Sequence, residues 1–172
     1  MPKPTPEEYP NFFSIYVNLI EDDDIVNVLM LQSKELQDLL KDIPEEVADK
    51  SYAFGKWTLK EVIGHMIDNE RLFIARALRI ARGDKQRLPG YDQDSYVKNG
   101  RFFRRTLEEM AQEMLLLRVA DLLLIKGFDE TELSERGIVN DYEITVNAIL
   151  YVLAGHERHH INYIKENYLS AK

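Results

Sequence analysis

Apolar residues recur at helical spacing in four long stretches of the chain, separated by polar or turn-forming segments. The first, residues 24–41, repeats Ile25, Val28, Leu29, Leu36 and Leu39/Leu40 and stops short of Pro44, which cannot continue a helix. A shorter apolar piece, residues 12–20, predicts a helix or helical turn before it. The second stretch is residues 58–82. Thr58 and Glu61 stand three apart at its start, where hydroxyl and carboxylate can satisfy the free amides of a first turn, and Gly83 supplies a stop. The third stretch, residues 101–126, ends at Gly127, and the fourth runs from Thr145 to about Tyr168. Residues 83–100 form a long connection in which Leu88-Pro89-Gly90-Tyr91 reads as an ordered turn. A connection of that length need not join antiparallel neighbours. Strand-type alternation is scarce, so the pattern predicts an all-α fold, and a length of 172 residues matches a single domain with a real core.

Composition narrows the functional classes. Hydrophobic residues make up 45% and charged residues 30% of the chain, the balance of a globular protein. No apolar run approaches the ~20 residues needed to span a bilayer. Residues 1–10 carry four prolines and two glutamates in place of a signal peptide's apolar core, which makes the cytoplasm the expected compartment. The net charge of −8, from 22 basic and 30 acidic residues, argues against nucleic acid as a partner, because phosphate contacts need clustered Lys and Arg. The basic residues between Arg71 and Arg87 read as a solvated helix face. There is no cysteine. Disulfides, thiolate metal sites and cysteine nucleophiles are excluded, and any thiol chemistry needs a thiol brought from outside.

Four histidines are present, and three of them, His156, His159 and His160, lie within five residues. At about 100° per residue, His156 falls roughly 40° from His160, within the arc that holds Val146, Ile149, Leu153 and Ile164. Two imidazoles thus lie one turn apart on the stripe that faces the core, close enough to reach a single ion. As ordinary core histidines, each would need its own buried partner, since an unpaired polar group costs roughly 1–3 kcal/mol. One shared ion meets both needs. His159 points about 100° away and reads as a packing residue. His65, in the second stretch, shares its face with Thr58, Glu61, Asn69 and Arg76 and borders the apolar arc of Leu59, Val62, Met66, Phe73 and Ala77. That position suits a side chain lining a wet cavity. His65, His156 and His160 therefore form the expected metal set, with at least one coordination position open to water or substrate. Imidazole donors suit zinc, nickel, copper or iron.

Two other metal readings fit less well. Residues His156-Glu157-Arg158-His159-His160 spell H-E-x-x-H, the zinc-protease pattern in which Glu157 would be the general base. Only twelve residues follow His160, none of them a histidine, and no substrate-binding sheet is evident. A di-iron bundle needs paired Glu-x-x-His motifs; Glu157 and His160 supply one, without a second copy.

These residues resemble the DinB/YfiT-like family of four-helix bundles. The likeness rests on Gly55-Lys56-Trp57-Thr58-Leu59-Lys60-Glu61-Val62-Ile63-Gly64-His65 with Asp68, Glu70, Arg71 and Arg76. It continues through Leu88-Pro89-Gly90-Tyr91-Asp92 and closes on Gly155-His156-Glu157-Arg158-His159-His160-Ile161. The resemblance implies a four-helix bundle with long crossover connections, a homodimer, and nickel or zinc on His65, His156 and His160. It also implies small-molecule chemistry with a low-molecular-weight thiol as co-substrate. The maleylpyruvate isomerase branch resembles a His/Glu/His set, whereas this chain has histidine at all three places, so that isomerisation does not transfer. The leading expectation is an S-transferase in which an external thiol attacks an electrophile, with Glu157 as proton acceptor or orienting group. A metal-dependent hydrolase and a non-catalytic metal-binding or sensing module are the alternatives. An arginine such as Arg76 directed into the cavity would point to an anionic substrate, and an apolar lining to a hydrophobic one.

Two charges fall among apolar neighbours: Glu70 in the second stretch and Arg118 in the third. Buried charges are usually paired, so the pattern predicts that they meet and fix the bundle's registry.

Overall fold

Four short polar side chains start the four long helices of the computed structural model, which describes residues 1–169. Asp24, Thr58, Thr106 and Thr145 each accept a hydrogen bond from an amide three residues on, at Asn27, Glu61, Glu109 and Ala148. In chain order the helices are α1 (Ser14–Val17), α2 (Ile25–Leu40), α3 (Glu45–Ala48), α4 (Leu59–Ala81), α5 (Gln93–Gly100), α6 (Leu107–Lys126), α7 (Glu130–Ser134) and α8 (Val146–Ile164). Strands β1 (Arg136–Val139) and β2 (Tyr142–Thr145) form a hairpin between α7 and α8. Short 3₁₀ turns cover Pro6–Glu8, Asn11–Phe13 and Phe102–Arg104, and a π turn, Lys165–Leu169, extends α8.

The predicted long helices are all present, and the capping box at Thr58 and Glu61 forms as expected. Gly83, with φ +80°, takes the left-handed conformation that ends α4 without a Cβ penalty. Three features differ from the periodic reading. The third helix starts at Leu107, not Arg101, because Thr106 and Glu109 make a second capping box there. The connection before it contains α5. The hairpin is the one sheet among the described residues. Its Asn140-Asp141 turn has both residues at positive φ, the conformation a two-residue turn needs to match strand twist.

The bundle places α4 against α6 and α8, and α2 against α6 and α8, so that α2 and α4 occupy opposite corners. Two apolar clusters fill its ends. One holds Ile25 and Leu29 of α2, Phe73–Ala81 of α4, Ile125 of α6 and residues 146–154 of α8. The other holds Leu36 and Leu40 of α2, Leu59–Ile67 of α4, Leu107–Met114 of α6, and Ile161 and Ile164 of α8. Helices α2 and α8 therefore run one way, and α4 and α6 the other. The adjacent pair α4 and α6 is parallel, so the 25 residues between them, 82–106, must return along the bundle. That crossover carries Leu88, Tyr91, Val97 and Phe102 over the α4 face that bears His65. Leu88 anchors it to the hairpin by exchanging backbone hydrogen bonds with Ile138 and Asn140.

Between the two apolar clusters every long helix contributes buried polar side chains: Gln32 and Ser33 from α2, Asn69 and Glu70 from α4, Arg118 from α6, and His156 and Glu157 from α8. His156 belongs to this mid-bundle polar layer.

Candidate metal centre

His65 of α4 and His156 of α8 are buried, and His160, one turn beyond His156, is partly so. The Nε2 of His156 lies 3.0 Å from that of His65 and 3.1 Å from that of His160. The three predicted ligands thus present their ring nitrogens to one point. His159 does not join them; it is exposed and packs its ring 5.8 Å from Tyr16 and 6.4 Å from Tyr163. Helical phase explains the separation, since one residue rotates a side chain by about 100°.

The donor set fits a divalent ion. Each ring nitrogen has either one proton or one lone pair in the ring plane. His156 Nε2 can therefore form a hydrogen bond with only one of its two histidine neighbours, although it contacts both. A tetrahedral ion with metal–nitrogen bonds of about 2.0–2.1 Å sets its ligand nitrogens about 3.3 Å apart, close to the observed spacings. Burial pushes all three imidazoles down: His65 to about 4, opposed by Asp94; His160 to about 3; His156 well below its ordinary value, with the neighbouring histidines adding to the effect. The neutral form, the one that can ligate, is favoured at all three.

Asn69 supports the central histidine. Its carboxamide lies 2.9 Å from His156 Nδ1 and 2.8 Å from the hydroxyl of Tyr91. As placed, Asn69 Nδ2 faces His156 Nδ1 and Oδ1 accepts from the Tyr91 hydroxyl. The same carboxamide turned over, an orientation with the same shape, puts its oxygen against Nδ1, which then carries and donates the proton and leaves the Nε2 lone pair for an ion, while the amide nitrogen donates to Tyr91. The sequence placed Asn69 on the His65 face but assigned it no role; its partner lies 87 residues away. Replacing Asn69 with Ala should lower divalent-ion affinity about 10–100-fold, whereas Asn69→Asp, which keeps the acceptor, should retain it. Chelator competition measures both, and equal affinities in wild type and Asn69→Ala would refute the orienting role.

Close packing positions the other face of the site. A Cβ on Gly155 would come within 2.2 Å of the Tyr16 carbonyl oxygen. The glycine lets α1 lie directly on α8 and brings the Tyr16 ring to 5.5 Å from His156. On the opposite flank, the Trp57 ring packs 5.2 Å from His65.

Glu157 lies elsewhere. It is 2% exposed and directs Oε2 to Arg118 Nη1 at 2.8 Å. Arg118 also makes a two-pronged pair with Glu70, Nε to Oε1 at 2.8 Å and Nη2 to Oε2 at 3.0 Å, and donates to the Leu29 carbonyl at 2.7 Å. The predicted Glu70–Arg118 pair is present, and one guanidinium ties all four long helices together. Glu157 lines neither cavity beside the histidines, because its position in α8 turns it into the bundle rather than toward solvent. Burial pushes its carboxyl up, and Arg118 opposes that shift.

Asp121, on α6, is pushed up to about 7 by burial and by the neighbouring Glu70 carboxylate. Its Oδ2 finds no donor, and two facing carboxyl groups can hydrogen-bond only if one holds a proton. Its folded value lies above the ordinary 3.8. The unfolded chain thus loses this proton first, and stability falls as pH rises from about 4 through about 7. Asp121→Asn, which donates without ionising, should melt a few degrees above wild type at pH 8 and level with it at pH 4. A constant difference across that range would exclude the shared proton.

Two cavities meet the histidines without sharing a lining residue. The first, about 230 Å³, includes His65, His156, Phe13, Phe73, Arg76 and Tyr91. The second, about 270 Å³, includes His160, Trp57, Lys56, Asp94 and Tyr163. A larger hollow of about 630 Å³, between the end of α2 and the start of α6, contains none of the three histidines.

No protein of curated function matches the sequence. The fold is similar to that of YfiT from Bacillus subtilis, described as a probable metal-dependent hydrolase with an unusual four-helix bundle topology. The TM-score is 0.74 at 19% identity, covering 84% of this chain and 83% of that one. Residues 30–164, which span all four long helices in whole or in large part and all three convergent histidines, match the family model of the DinB superfamily. The chain belongs to the DinB superfamily.

Proposed function

We propose that this chain is a metal-dependent enzyme acting on small molecules, with His65, His156 and His160 holding one divalent ion, nickel or zinc. The observation that carries this reading is the convergence of three neutral Nε2 atoms that face two cavities, His65 and His156 one and His160 the other. A divalent ion bound there supplies Lewis acidity that lowers the pKa of a thiol or water reaching it.

Two separate cavities favour a reaction of two organic partners. An external low-molecular-weight thiol would occupy one and an electrophile the other, and S-transfer would join them. The chain has no cysteine to compete for the ion or the electrophile. Asp94, the one carboxylate lining either cavity among the described residues, replaces Glu157 as the candidate proton acceptor, since Glu157 is committed to Arg118. Asn69 and Tyr91 hold His156 in place, and the Tyr16 and Trp57 rings pack against His156 and His65.

Hydrolysis is the second reading, supported by the likeness to a protein described as a probable metal-dependent hydrolase. Zinc- or nickel-loaded protein, assayed with a panel of biological thiols and a model electrophile, should exceed the uncatalysed rate. No acceleration there, with turnover of esters, amides or phosphoesters in the absence of thiol, would establish hydrolysis instead. Failure of both assays would leave a metal-binding or sensing module.

The same proposal includes a homodimer and a cytoplasmic setting, without a nucleic-acid partner. Leu116, Val119 and Leu123 of α6 form an exposed apolar stripe, with Met30 and Leu31 exposed on α2; covering such a face by a second copy follows from its hydrophobicity. Sedimentation should give twice the chain mass, and a monomer would exclude this arrangement. No helix among the described residues is long and apolar enough to cross a membrane.

A further inference from the structure

The cavity that contains His65 and His156 has a chemical polarity of its own. Its walls are aromatic, from Phe13, Tyr16, Phe73 and Tyr91, and Arg76 is the one charged side chain lining it among the described residues. Arg76 donates through Nη2 to the Pro89 carbonyl at 2.8 Å and lies over the Phe73 ring at 5.6 Å and the Tyr91 ring at 5.9 Å. These contacts hold the guanidinium in place, yet no carboxylate pairs with it among the described residues, and most of its five N–H donors have no acceptor there. Seven other arginines outside the core, Arg71, Arg79, Arg82, Arg87, Arg105, Arg136 and Arg158, pair with a carboxylate, whereas Arg101 and Arg104, like Arg76, have none among the described residues, but they line neither cavity beside the histidines.

Helix geometry sets the span. Arg76 follows His65 by eleven residues, about three turns, so the two share one face of α4 about 16 Å apart along its axis. A long side chain in a helix leans back toward the N-terminus, which brings the guanidinium toward the histidines. The cavity, about 230 Å³, is smaller than the roughly 300–1,000 Å³ typical of sites for drug-sized ligands. That volume suits a one-ring molecule.

We propose that this cavity binds a small aromatic carboxylic acid, with its carboxylate on Arg76, its ring among Phe13, Phe73 and Tyr91, and its reactive end at the histidines. The inference rests on the proposed function for the reaction that follows, but the recognition itself depends on Arg76 and the aromatic walls. A planar guanidinium pairs with a carboxylate through two parallel hydrogen bonds, which would select an acid over its neutral analogues.

The test is calorimetric titration of the full chain, zinc-loaded and zinc-free, with phenylacetate and with phenylacetamide as its uncharged counterpart. Wild type should prefer the acid by about tenfold or more, as for a hydrogen-bonded charge, in both metal states. Arg76→Met, which keeps the stem that packs on Phe73, should bring the two ligands within about twofold. Arg76→Lys, which restores the charge without the fork, should recover part of the preference and guards against a misfolded methionine variant. The proposal is overturned by an absence of acid preference in wild type, by its persistence in a folded Arg76→Met protein, or by its loss on removing zinc, which would put the carboxylate on the ion. A chain that binds no ion but keeps an Arg76-dependent preference would refute the metal-dependent reading and leave this one intact. Thiol transfer without acid preference would do the reverse.

Discussion

Arg118→Met should lower the melting temperature by about 6–20 °C, the largest loss of stability expected from any single substitution in this chain. The substitution removes the cation that pairs with the carboxylates of Glu70 and Glu157, 1% and 2% exposed, and leaves both without a counter-charge. Breaking a buried pair in this way costs about 3–5 kcal/mol, and each kcal/mol moves the midpoint by about 2–4 °C in a domain of this size. The loss reflects an uncompensated charge and not the net contribution of the ion pair. Replacing all three residues by apolar ones of similar volume should therefore recover much of the stability. Thermal melts of the single and triple variants make the comparison. If Arg118→Met melts within a degree or two of wild type, the carboxyl groups are neutral or solvated and the buried network is not as described. In the triple variant, a loss of metal affinity with stability restored would show that the network also holds α8, and so His156, in register with α4.

The second large effect falls on metal binding. His65→Ala and His160→Ala should each weaken divalent-ion binding by about 10²–10³-fold. A four-ligand zinc site contributes about 10–16 kcal/mol, so one ligand accounts for about 2.5–4 kcal/mol. His156→Ala should be at least as damaging, because His156 lies between the other two and is the ligand that Asn69 orients. His159→Ala is the internal control. It removes a histidine from the same helix, one residue from a ligand, and should leave affinity unchanged because its ring packs against Tyr16 and Tyr163. Competition with a chromophoric chelator reads all four. Equal losses for His159→Ala and His160→Ala would mean that the ion is held by a loose histidine cluster rather than by the convergent set. Unchanged affinity in His65→Ala would remove the link between α4 and α8 and, with it, the proposed catalytic geometry.

The sequence alone determined the elements that depend on local spacing. Thr58 with Glu61 fixed the start of α4, and the fourfold spacing of His156 and His160 in the apolar arc put both on the inner face of α8. The same phase sent His159 elsewhere. The lack of cysteine restricted any ion to nitrogen and oxygen donors. The hairpin, α5 and the Thr106 start of α6 are local features that apolar periodicity does not show; four-residue strands carry too few residues for alternation, and the hairpin's signal is its Asn140-Asp141 turn.

What depends on distant residues was decided by the tertiary structure. Glu157 sits beside a ligand in sequence, yet it faces Arg118, because adjacent residues on a helix point about 100° apart and only the packing of α6 says what lies on each side. Asn69 became the support of His156 because α4 and α8 are antiparallel neighbours, and Tyr91 reached it because the crossover between parallel helices must travel back over the site. Arg76 lies on the His65 face in the sequence, but its lack of an acidic partner emerged only when the aromatic cavity closed around it. Helical periodicity reports which way a side chain points; which group it meets depends on contacts 39 to 91 residues apart along the chain, and only the assembled bundle brings those residues together.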